Sequence, residues 1–179
     1  MDAMPFEKGG DFLKCILRQW KLSDAADLTA AINNPNVQKN LRDGLPYPYT
    51  EKDAEEFIQY LLHANPDSIF AFAITVDDRA IGSISIERGT NIHRYTGELG
   101  YYIAENYWGK GLASSAVEQI VQYIFTYTDI MRIFAEPFSY NTASCRVLEK
   151  NGFQYEGTLR RNAMKNGTVL DMKLYARLR

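Results

Sequence analysis

One mixed α/β (α+β) domain is predicted by three observations. Runs of apolar residues at period two alternate along the chain with runs at period three to four, so strands and helices are interleaved. No internal repeat, low-complexity tract or linker separates them. At 179 residues and 46% hydrophobic content, the chain suits one core of the usual ~100–200-residue size. The order read along it is β-α-α-β-β-β-α-β-α-β-β, a mixed sheet of about seven strands flanked by about four helices.

Each element has a local cause. Leu13 to Trp20 alternates as a strand, and Ser23-Asp24 opens a short helix with Ala25, Leu28, Ala31 and Ile32 on its apolar side. Residues 33–49, with Pro35, Pro46 and Pro48, form a long irregular connection that suits a surface loop over a site better than a domain boundary. Thr50 caps a second helix, Asp53 completes a capping-box-like pattern, and Ala54, Phe57, Ile58, Leu61 and Leu62 make its core stripe. Ile69 to Val76 and Arg79 to Glu87 form a hairpin about Asp77-Asp78, and Glu98 to Ala104 adds another strand. After Gly109 the period lengthens: Leu112, Ala113, Ala116, Val117, Ile120, Val121 and Ile124 mark a buried helix face. Arg132 to Glu136 is a short strand, and Asn141 to Lys150 is a helix ended by Asn151-Gly152. Tyr155 to Arg161 and Val169 to Arg177 pair about Asn166-Gly167. Polar residues 1–11 read as a flexible N-terminal tail.

Charge and cysteine usage give no support to several function classes. Twenty Lys and Arg against 22 Asp and Glu leave a net charge of −2, which gives no overall field toward nucleic acid or anionic lipid. Cys15 and Cys145 cannot build a disulfide framework, and with only His63 and His93 they show no metal-ligand spacing. No apolar run approaches the ~18 residues of a membrane span, and no signal-peptide core is visible. A cytoplasmic protein without a metal, a nucleic-acid partner or a membrane partner is the expectation.

Chemistry concentrates at Gly109-Lys110-Gly111, between a strand and a helix. Residues without Cβ let backbone N–H groups approach an anion, and a helix N-terminus adds roughly half a positive charge. Lys110 can add charge at the rim, and Ala113 permits close approach. Such a turn is a pyrophosphate cradle in principle, although glycine pairs also serve ordinary tight turns. A Walker-type loop is absent, and the dinucleotide fingerprint fails where Ser114 stands at its sixth position. Asp129 precedes the next strand, whereas a nicotinamide site wants an acidic residue at that strand's end.

Three blocks carry a resemblance: Gly97-Glu98-Leu99-Gly100-Tyr101-Tyr102-Ile103, then Tyr107-Trp108-Gly109-Lys110-Gly111-Leu112-Ala113, then Asn141-Thr142-Ala143-Ser144-Cys145-Arg146-Val147-Leu148-Glu149-Lys150-Asn151-Gly152-Phe153. In this order and spacing the chain resembles the GNAT superfamily of N-acetyltransferases, and within it the RimJ/RimL-like branch. The resemblance implies one GNAT-like domain over residues 1–179, splayed between its fourth and fifth strands to admit acetyl-CoA. It implies that backbone groups around Tyr102 and Ile103 pair with the pantetheine arm. Trp108, Gly109, Lys110, Gly111, Leu112 and Ala113 would hold the pyrophosphate. Trp108 stands where Arg or Gln is common elsewhere in the superfamily, but contacts there are largely from the backbone.

Direct transfer needs a base for the amine, donors for the acetyl carbonyl and a proton for the thiolate. Alternation puts Glu98, Gly100 and Tyr102 on one strand face and Leu99, Tyr101 and Ile103 on the other. Glu98 is taken first as base, against its reading as an ordinary solvated or salt-bridged strand residue. Glu136 is the second candidate, because it matches the carboxylate position of peptide-amine-acetylating relatives. Asn141 and Ser144 have helix-cap spacing. By resemblance, Ser144 lies near the CoA sulfur and serves the thiolate. Leu148 occupies the place where peptide-amine relatives carry a Tyr, and Arg160 to Ala163 lacks a carboxylate found in some RimL enzymes. Cys145 and His93 receive no role.

The acceptor is less defined. Freeing an α-amine of pKa ~7.8 at pH 7 costs about 1 kcal/mol, against about 4.6 kcal/mol for lysine at ~10.4. This ranks peptide N-termini and weakly basic amines ahead of lysine, and the resemblance points to protein N-terminal amines of the ribosomal-protein type. Small amines and antibiotics are also acceptors in the branch. Arg42, Tyr47 and Tyr49 lie in the loop over the expected acceptor groove without an assigned role. The edge strand at the C-terminus is compatible with a homodimer but does not require one. Two rival functions are a non-catalytic acetyl-CoA-binding module and, more remotely, a nicotinamide-dependent oxidoreductase.

Overall fold

The computed structural model describes residues 14–179. The expected tail at 1–11 and the first residue of the expected first strand, Leu13, lie outside the described residues. Seven strands form one sheet in the order β1-β2-β3-β4-β5-β7-β6. They are β1 (Ile16–Arg18), β2 (Ile69–Val76), β3 (Arg79–Arg88), β4 (Thr96–Ile103), β5 (Arg132–Ala135), β6 (Gln154–Lys165) and β7 (Thr168–Leu178). Five helices accompany them: α1 (Ala25–Ile32), α2 (Pro35–Gln38), α3 (Glu51–His63), α4 (Leu112–Tyr127) and α5 (Thr142–Lys150). The extra helix is α2, a short turn inside the segment expected to be irregular. The Asn34 side chain accepts from the N–H groups of Asn36 and Val37, and Pro35 supplies a preset φ.

The turn chemistry matches the residues. Asp77 and Asp78 both have positive φ (49° and 60°), the signature of a type I′ hairpin turn. Asn166 and Gly167 repeat it (49° and 76°), and β6 continues past the expected Arg161 to Lys165, while the other strand ends of this hairpin lie one residue beyond the expected bounds. Thr50 and Asp53 close the capping box of α3 reciprocally. Asn141 caps α5 by accepting from the Ser144 N–H.

Two cores cover the two faces of the sheet. On one face Val117, Ile120, Val121 and Ile124 of α4 pack with Leu148 of α5 against Ile84, Ile86, Leu99 and Ile133. On the other face Leu28 and Ile32 of α1 meet Ala54 and Ile58 of α3 over Ala73 and Ala80. Ile120 is completely buried. Ile120→Ala is expected to lower the unfolding free energy by about 2–5 kcal/mol. A urea midpoint unchanged from that of the parent protein would contradict this packing.

The functional feature of the sheet lies between β4 and β5. These strands run parallel and pair only at Thr96↔Arg132, Gly97↔Ile133 and Glu98↔Phe134. β4 continues to Ile103 without a strand on that side, although its other edge stays paired with β3 up to Gly82↔Ile103. The sheet therefore splits into a wedge.

Candidate acetyl-transfer site

Backbone phase decides which groups of β4 look into the wedge. The Ala104 N–H bonds to the Ile81 C=O and the Gly89 N–H to the Thr96 C=O, so even-numbered residues of β4 turn their backbone toward β3. Odd-numbered residues turn to the opposite edge, where the Met131 N–H reaches the Tyr95 C=O. Ile103 accordingly opens toward the wedge. Tyr102 does not: its backbone faces β3, its ring packs on the α1/α3 core, and its buried hydroxyl finds no hydrogen-bond partner among the described residues. Tyr101, not Tyr102, turns its backbone to the wedge edge beside Ile103.

Beyond β4 the chain makes a tight turn into α4. Trp108 Nε1 donates to the Ile103 C=O at 2.7 Å, bracing the strand end with a side chain expected to matter mainly through its backbone. Gly109 and Gly111 have φ of 74° and 77°, a region costly for residues with Cβ. A Cβ at either position would meet no heavy atom within 4 Å, so both glycines are required by backbone conformation and border open space. No side-chain hydrogen bond caps α4 at Gly111, which leaves the first-turn N–H groups facing a ready anion position. Lys110 Nζ lies 5.2 Å from the Tyr107 ring centroid, and Lys110 does not line the cleft.

The wedge widens into a cleft of about 590 Å³, within the ~300–1,000 Å³ usual for small-molecule sites. Its wall includes Tyr101, Tyr102, Ile103, Trp108, Gly109, Gly111, Leu112, Ala113, Asn141 and Ser144, with Glu98 and Glu136. Every sequence-selected site residue except Lys110 is thus brought to one cavity. The cradle and splay fit an elongated thioester carrying a diphosphate.

The two glutamates sit where the ladder ends. Glu98 pairs in register with Phe134, and Glu136 lies two residues beyond, so both side chains occupy the α1/α3 face of the sheet. Arg42 forms an ion pair with Glu98. Burial pushes the Glu136 carboxyl above the usual range, the negative charge of Glu98 pushes it further, and Arg42 opposes both. On the other face, Tyr101 Oη lies 2.9 Å from Ser144 Oγ.

The expected loop does border the site. Val37, Asn40, Leu41 and Arg42 line the cleft. The segment is tied down by Asn34 and Asn36 amides donating to Glu105 at 2.6 and 2.8 Å, by the Tyr140 hydroxyl donating to the Lys39 C=O at 2.7 Å, and by a Lys165–Asp43 ion pair at 2.7 Å. Tyr49 packs into its own core and is 3% exposed, whereas Tyr47 stays on the surface. Cys145 is buried and in no disulfide among the described residues. Sequence reasoning passed over Tyr101, which lines the cleft; alternation grouped it with Leu99 and Ile103 but could not show that this face meets the helix bearing Ser144.

A model of the acetyltransferase (GNAT) domain matches residues 14–154. The chain belongs to the GNAT family. This acetyltransferase is 30% identical to the uncharacterized N-acetyltransferase p20 of Bacillus licheniformis over 169 residues, 91% of this chain and 92% of the relative. It is 29% identical to the ribosomal-protein-serine acetyltransferase of Escherichia coli, over 88% of this chain and 95% of the relative. Its fold superposes on RimJ of Mycobacterium smegmatis, solved with a CoA-disulfide, with a TM-score of 0.83 at 24% identity, covering 92% and 81% of the two chains. The expected GNAT fold and RimJ/RimL-like affiliation are borne out, and the acetyltransferase is an acetyl-CoA-dependent N-acetyltransferase by family. Among the described residues, no helix is long and apolar enough to cross a membrane.

Proposed function

We propose that this acetyltransferase holds acetyl-CoA in the β4–β5 wedge and passes its acetyl group to a primary amine entering from the α1/α3 face. The observation that carries the reading is the early end of the β4–β5 ladder beside the positive-φ glycine turn. Tyr101 and Ile103 offer backbone groups to the pantetheine arm. The Trp108 to Ala113 turn receives the diphosphate on main-chain amides, with Asn141 and Ser144 at the far wall. The CoA complex of the RimJ neighbour supports this choice of ligand.

Acetyl transfer then needs few groups. Glu136 takes the proton lost by the amine as its nitrogen bonds to the acetyl carbon, and returns it to solvent. The raised carboxyl pKa makes it a better base than an ordinary glutamate. Glu98, engaged by Arg42, supplies negative charge beside Glu136 and ranks second as base. Ser144 donates a hydrogen bond to the sulfur as the C–S bond breaks, and the departing thiolate takes its proton from solvent. The acceptor class that best fits a single carboxylate base is an α-amine, either a protein N-terminus of the ribosomal-protein type or a small amine. The Escherichia coli relative's name supports the former.

Thermal shift provides a direct test. Acetyl-CoA at about 100 times its Kd stabilises the protein by about 2.7 kcal/mol, while NAD and NADP are expected to leave the melting temperature unchanged. CoA release should rise when peptides with free N-termini are added. Stabilisation by NADP alone would reject the reading, and acetyl-CoA binding without acetylation of any amine would favour a sensor module.

A further inference from the structure

We infer that Tyr101 is a positioning residue for Ser144: its phenol donates to the Ser144 hydroxyl and so leaves the Ser144 proton aimed into the wedge. The inference rests on the role given to Ser144 above. Tyr101 lies on the β4 face packed against the α4/α5 core. Its hydroxyl reaches two oxygens of one residue, Ser144 Oγ at 2.9 Å and the Ser144 C=O at 3.3 Å. Geometry at the shorter contact allows either hydroxyl to donate, and the surroundings decide between them. The Ser144 C=O lies in the first turn of α5, where the helical pattern directs the Leu148 N–H to it. It receives the phenol only at the longer distance and beside that N–H, so the phenol proton is assigned to the nearer Oγ.

A hydroxyl has one proton to give and two lone pairs to receive with. With one lone pair of Ser144 occupied by Tyr101, its own proton is directed elsewhere, and both residues line the cleft. The Ser144 N–H is held by Asn141 Oδ1 at 3.2 Å, so the residue is fixed through its backbone as well as its side chain. Burial pushes the Tyr101 phenol up to about 12, against the opposing effect of its bond to Ser144, so it keeps its proton at neutral pH and remains a donor. Tyr101 thus acts through Ser144 and transfers no proton itself.

Tyr101→Phe removes this one hydroxyl and keeps the ring. In the intact enzyme, with any accepted amine, kcat should fall about 3- to 10-fold while KM for acetyl-CoA stays at its wild-type value. The same change made on top of Ser144→Ala should cost nothing further. A 3-fluorotyrosine at position 101, which retains the bond, should restore turnover even if the Phe variant proves less stable. Wild-type kcat in Tyr101→Phe, a loss that adds in full to Ser144→Ala, a rise in acetyl-CoA KM alone, or failure of the fluorinated residue to restore turnover would each overturn the assignment. A wild-type protein that neither binds acetyl-CoA nor acetylates any amine would defeat the reading of the wedge itself, and Tyr101 with it.

Discussion

Glu136→Gln is expected to lower kcat by about 10²–10⁴-fold while leaving acetyl-CoA affinity intact, because the change removes a general base and no cofactor contact. The pH dependence supplies the sharper measurement. A base works only when ionised, so turnover should be present above the Glu136 pKa and lost as pH falls through it. Burial, then the charge of Glu98, raise that pKa, so the acid limb should lie above the ordinary glutamate range. Glu98→Gln removes the repelling charge and should move the limb to lower pH. Arg42→Gln removes the opposing cation and should move it to higher pH. If Glu98→Gln abolishes turnover and Glu136→Gln spares it, the two glutamates exchange roles.

Ser144→Ala should reduce kcat by about 10- to 100-fold with KM for acetyl-CoA preserved. A hydrogen bond to an ionised partner contributes about 1.5–3 kcal/mol, and the sulfur carries charge only as the C–S bond breaks. The loss therefore belongs to the transition state. Asn141 keeps its position at the start of α5, so the helix itself should survive the substitution. Wild-type turnover in this variant would remove Ser144 from the mechanism.

Much of the site was legible because it is written in local rules. The glycine turn announces itself through residues that alone tolerate positive φ, and α4 through its 3.6-residue period. The side of β4 that faces the wedge was harder to read. Side-chain alternation predicts faces of a sheet, but the direction of N–H and C=O groups depends on the phase of the ladder with β3. Only the paired strand reveals that phase, and it turns the backbone of Tyr101 rather than that of Tyr102 toward the wedge. The letters put Glu98 ahead of Glu136, and the reversed order proposed above draws on an ion pair between Glu98 and Arg42, 56 residues away along the chain. The short helix α2 escaped for a related reason: four residues are too few to show a period.

A split in a sheet is reached from both of its faces, and this cleft is lined from both. In the proposed reaction the thioester is served from the side of Tyr101 and Ser144, and the amine from the side of Glu98, Glu136 and Arg42. Two reactants that meet in such a window never have to pass one another. Either can arrive first and either product can depart first, so initial-rate plots should converge and product inhibition should follow a random order of addition.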